Sequence, residues 1–69
     1  MNDAETGDTV QLTSRYSGEV VVGTIASISA SMSLVEYLIE SPELEPMWYT
    51  VYADGNCIRR VKNLSRRSE

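Results

Sequence analysis

Chemistry in this 69-residue chain would have to be built from ten carboxylates, six cations, five aromatic rings and one thiol, because there is no histidine. Cys57 is the only nucleophile of note, and nothing in the sequence supplies the imidazole that normally activates a thiol. A structural cysteine is the expectation. One cysteine without histidine also falls short of the four nitrogen or sulfur ligands of a zinc site, so no metal and no cofactor is expected. Glu36, Glu40, Glu43 and Glu45 crowd into ten residues. Their spacing is not that of a calcium loop and no Asp-x-Asp pattern precedes them, so they are expected to form a solvated face. They would also suit the basic end of a neighbouring copy.

The cations are distributed unevenly. Residues 56–69 hold five of the six, Arg59, Arg60, Lys62, Arg66 and Arg67, against one acid, whereas residues 1–55 hold one cation against nine acids. A cluster of this kind can neutralise phosphates, and release of their counterions supplies most non-specific affinity for nucleic acid. Trp48, Tyr49 and Tyr52 precede it and could stack bases. A charged tail and a sheet edge protected against aggregation would give the same pattern.

The elements that hold these residues follow from the hydropathy pattern. Residues 1–6 are polar, acidic and without periodicity, and are expected to be a disordered leader. They resemble neither a signal peptide nor a transit peptide. Thr9-Val10-Gln11-Leu12-Thr13 alternates with period two, as a half-buried strand does. From Glu19 to Ser31 the chain is rich in β-branched residues, but its alternation slips. Val21 and Ile25 share one face while Ile28 falls on the other, which predicts a bend or bulge near Gly23 or Ala26-Ser27. A helix over 24–38 would also space Ile25, Ile28, Met32, Val35 and Ile39 suitably. The serines and β-branched residues of that stretch favour a strand.

Residues 33–40 form the next strand, with Val35, Tyr37 and Ile39 opposite Leu34, Glu36, Leu38 and Glu40. Pro42 and Pro46 predict a loop over 41–46. Met47-Trp48-Tyr49-Thr50-Val51-Tyr52-Ala53 is the strongest strand by composition, with Trp48 and Tyr52 on the face opposite Tyr49 and Val51. Asp54-Gly55 is a hairpin signal. Residues 56–61 return as a fifth strand, and 65–69 are expected to be a basic flexible tail.

Five short strands separated by turns predict an all-β fold, a small barrel over residues 7–64 that encloses a modest core. So short a chain has little room for a cleft, and no small-molecule substrate is inferred. No apolar run reaches the ~20 residues of a membrane-spanning helix. The lone cysteine fits a reducing, cytoplasmic setting.

The order Gly7-Asp8-x-Val10, Gly18-x-Val20, Val22-Gly23, Tyr37-x-Ile39-Glu40 and Trp48-Tyr49-x-Val51 resembles SH3-like small barrels of the KOW and Tudor kind. That resemblance implies a five-stranded SH3-like barrel used for binding or assembly. The segments Gly7-Asp8-x-Val10, Val22-Gly23 and Tyr37-Leu38-Ile39-Glu40-Ser41 also resemble the plasmid-borne type II dihydrofolate reductases. Those form a tetrameric pore with a Val-Gln-Ile-Tyr strand. The corresponding stretch here is Met47-Trp48-Tyr49-Thr50-Val51-Tyr52, so no catalytic residue is carried over, although an oligomer is implied.

The expectation from the sequence is therefore a non-catalytic binding module. Trp48, Tyr52, Leu34 and Leu38 would contact a protein partner or a second copy, as in an accessory protein of a phage or mobile element. The alternative is a nucleic-acid-binding barrel that uses Arg59, Arg60, Lys62, Arg66 and Arg67.

Overall fold

The computed structural model describes residues 4–65. The chain forms six strands: β1 (Thr9–Ser14), β2 (Val20–Ala30), β3 (Leu34–Ser41), β4 (Leu44–Ala53), β5 (Asn56–Cys57) and β6 (Arg59–Asn63). They make one antiparallel sheet in the order β5-β4-β3-β2-β1-β6. The sheet curls into a nearly closed small barrel compatible with the SH3-like class. Among the described residues there is no helix, so the helical alternative over 24–38 is excluded, and no helix is long and apolar enough to cross a membrane.

The strands curl because their alternating residues face one small core. Val10, Leu12, Val21, Ile25 and Ile39 form a buried cluster, against which Ala4, Ile28, Tyr37, Tyr49 and Val61 pack. Val51 is buried as well. Each such aliphatic side chain contributes about 1.5–3 kcal/mol relative to exposure. The phase slip in β2 is resolved by a bulge. Ile25 stands opposite Ile39 but Ser27 opposite Leu38, leaving Ala26 unpaired. The extra residue returns Ile28 to the core side, opposite Tyr37.

Gly23 has another role. A Cβ built there would lie 2.5 Å from both the Glu40 carbonyl oxygen and Ile39 Cγ2. Only a residue without a side chain lets β3 come this close to β2.

Two expectations are corrected. The predicted fifth strand is two strands, because at Ile58 the chain leaves β4 and crosses to β1. β5 pairs with Tyr52 and Ala53, whereas β6 runs beside β1, with Ser14 opposite Arg59 and Val10 opposite Asn63. At the crossing the Ile58 amide donates to the Val51 carbonyl at 2.7 Å, and the Ile58 carbonyl accepts from the Arg15 amide at 3.0 Å. The expected loop over 41–46 is also shorter. Only Pro42 and Glu43 form the turn, and Pro46 lies inside β4. Proline is tolerated there because the ladder to β3 is irregular between Ser41 and Ile39, and strand edges and bulges accept a missing donor.

The Asp54-Gly55 turn forms as expected, with φ of 53° and 78°. Two successive positive values are the signature of the hairpin turn whose twist matches its strands. Of the expected leader, Ala4 is half-buried against the core and the Glu5 amide donates to Asp8 Oδ2. Residues 1–3 and 66–69 lie outside the described region, and with them Arg66, Arg67 and most of the expected tail.

Candidate binding surfaces

β3 and β4 carry the four apolar residues singled out from the sequence, but the register divides them. Leu38 stands directly opposite Trp48 and, on its other side, opposite Ser27. Directly opposed residues of antiparallel strands project from the same face, so Trp48 and Leu38 form one outward row. Trp48 is 46% exposed and Leu38 is half-buried beside it. In the next row, Thr50 Oγ1 donates to Glu36 Oε2 at 3.4 Å.

Beyond that row a second bulge intervenes. Thr50 stands opposite Glu36, but Tyr52 stands opposite Val35, so Val51 is the extra residue. The expected common face of Trp48 and Tyr52 is therefore corrected. The bulge shifts Tyr52 into the phase of Val35, and the ring is exposed at the end of the barrel. Leu34, opposite Ala53, is exposed at that same end. Trp48 and Leu38 are brought together, whereas Tyr52 and Leu34 are set apart from them.

Leu44 and Met47, which no pattern in the sequence marks as surface residues, are 57% and 58% exposed. Met47 is in phase with the inward Tyr49 and Val51, and the Tyr49 hydroxyl donates to its sulfur at 3.8 Å, yet most of its side chain is exposed. The reason is the seam of the barrel. β5 covers β4 only at Tyr52 and Ala53, and the Ile58 amide reaches only Val51. Among the described residues, no strand pairs with the outer edge of residues 44–49. Leu44, with Pro42 and Pro46, also borders a shallow depression of about 400 Å³ over Thr24 and Glu40.

The basic residues are separated by the alternation of β6. Arg59 turns into the seam. Its Nη1 donates to the Thr50 carbonyl at 2.7 Å, and its guanidinium carbon sits 5.4 Å from the centroid of the Tyr49 ring. Arg60 and Lys62 point outward and are exposed. They line a groove of about 500 Å³ with Gln11, Thr13, Ser14 and Arg15. Arg15 had not been singled out, because it lies far from the C-terminal cluster in sequence and reaches β6 only through barrel closure.

Cys57 is half-buried and its thiol donates to the Arg59 carbonyl at 3.2 Å. Among the described residues, no three histidine, cysteine or carboxylate side chains are grouped so as to hold a metal ion. Comparison with known proteins finds no matching family model, no matching curated protein and no matching solved structure.

Proposed function

We propose that this protein is a non-catalytic, SH3-like binding barrel that associates with a second copy of itself through β4, with Trp48, Leu38, Leu44 and Met47 in the contact. The observation that carries this reading is the coincidence of two features. Residues 44–49 have an outer edge that no strand among the described residues covers, and Leu44, Met47 and Trp48 are exposed along it. An uncovered edge offers backbone hydrogen bonds to another chain. Aromatic and methionine side chains are the types enriched at protein interfaces.

The choice of a second copy rests on the size of the core. Among the described residues six hydrophobic side chains are buried, while ten large ones are exposed. A domain with so small a core has little stability to spare, and association of subunits supplements what closure of the barrel provides. Pairing β4 with its own copy would satisfy the edge and cover Trp48 in one two-fold contact.

Sedimentation velocity across a wide concentration series tests this reading. The expected result is a sedimentation coefficient that rises with concentration and stays at the monomer value in Trp48→Ala, with the strand signature of that variant's circular dichroism unchanged. A single monomeric species at every concentration would overturn it, as would association that Trp48→Ala leaves intact.

A further inference from the structure

On the side of the barrel built from β6, β1 and β2, the outward residues form two rows. Arg60, Thr13 and Val20 stand opposite one another in the first, and Lys62, Gln11 and Val22 in the second. Arg15 continues the basic column past the end of β1. Its backbone is fixed beside β6 by the bond from its amide to the Ile58 carbonyl. The turn that follows is also held, since Ser14 Oγ accepts from the amides of Tyr16 and Ser17 at 3.2 and 3.1 Å. Tyr16 is thereby presented next to Arg15 with 77% of its surface exposed. Among the described residues the groove beneath Arg15, Arg60 and Lys62 has Gln11, Thr13 and Ser14 in its lining and no carboxylate, and the exposed Glu19 stands beside it, its carbonyl accepting from the Ser14 amide. Val20 and Val22, both exposed, stand on β2 opposite the lining residues Thr13 and Gln11.

We infer that this groove binds single-stranded nucleic acid, with phosphates on the column of Arg15, Arg60 and Lys62 and bases toward Tyr16, Val20 and Val22. Three features select this ligand. Arg60 and Lys62 are about 7 Å apart along the strand, so one extended backbone can meet both in succession. The hydroxyl and amide groups of Thr13, Ser14 and Gln11 suit phosphate and sugar oxygens. The apolar flank with its exposed ring suits stacked bases. The chain as a whole is acidic, yet the groove is not. This surface lies on β6 and β1, beside the seam where Arg59 meets β4, but it uses none of residues 44–49 and does not depend on self-association.

Fluorescence anisotropy of a labelled oligo(dT) of about 16 nucleotides, titrated with the full chain over a range of salt, tests the inference. Three neutralised phosphates give a log–log salt slope of about −2 on a single strand, and Arg60→Gln with Lys62→Gln lowers it to about −0.7. Tyr16→Ala is expected to weaken binding at unchanged slope. Arg66→Gln with Arg67→Gln is expected to leave binding in place. Unfolding curves of each variant separate a binding loss from a folding loss. The inference is overturned by no binding at low salt, by an unchanged isotherm in the Arg60/Lys62 variant, or by loss in the Arg66/Arg67 variant. Competition by polyglutamate equal to that by unlabelled oligonucleotide would also overturn it.

Discussion

The Arg59 guanidinium closes the seam of the barrel over the Tyr49 ring, 5.4 Å from its centroid, while one of its nitrogens donates to the carbonyl of the adjoining Thr50. Here a side chain does what a neighbouring strand does elsewhere in the sheet. A hydrogen bond to a charged donor contributes about 1.5–3 kcal/mol and a cation over a ring about 0.5–1 kcal/mol. Arg59→Ala should therefore lower stability by about 2–3 kcal/mol in urea denaturation. Arg59→Lys should recover only part of the loss, since an ammonium lacks the planar fork that bonds and stacks together. Full recovery by lysine would show that charge alone is what matters at the seam.

Gly23 and Gly55 are required for different reasons, and substitution separates them. At Gly23 an added Cβ collides with the Glu40 carbonyl and Ile39, and overpacking of this kind costs about 1–3 kcal/mol or more. At Gly55 an added Cβ would meet nothing within 4 Å beyond the adjoining residues, but φ is +78°. Gly55→Ala then carries only the backbone cost of about 1–2 kcal/mol. In a domain of this size 1 kcal/mol moves Tm by about 4–8 °C. Gly23→Ala is expected to show the larger fall in thermal denaturation.

Leu12 and Trp48 test the division between core and surface. Leu12 is fully buried, and Leu12→Ala should cost about 2–5 kcal/mol in the denaturation midpoint. Trp48→Ala should cost far less in a dilute sample, because nearly half of the ring is already in water. A Trp48→Ala loss equal to that of Leu12→Ala would place the indole in the core.

Much of this arrangement was legible in the residues. The phase slip between Ile25 and Ile28 announced the bulge at Ala26, and Asp54-Gly55 announced its turn, because both are local consequences of strand periodicity and backbone freedom. The bulge at Val51 was not legible. Met47 to Ala53 is apolar or aromatic at every position but Thr50, so it shows no phase that could slip, and only the pairing of Tyr52 with Val35 reveals the extra residue. The crossing at Ile58 was hidden for a similar reason, since it depends on β1, more than forty residues away in sequence. The exposure of Met47 and the placing of Arg15 beside Arg60 follow from that same long-range closure.

The temperature midpoint should depend on protein concentration, because association that favours the folded form stabilises it by mass action. Scanning calorimetry is expected to give a Tm that rises with concentration in the unsubstituted chain and stays constant in Trp48→Ala. A rise of equal size in both would move the contact away from Trp48.

Amide hydrogen exchange over residues 44–49, followed from dilute to concentrated protein, tests β4 pairing most directly. The expected result is that the amides on the uncovered edge exchange rapidly in dilute solution and become protected as concentration rises, while Leu12 in β1 stays protected throughout. Edge amides that exchange equally fast at every concentration would contradict the account.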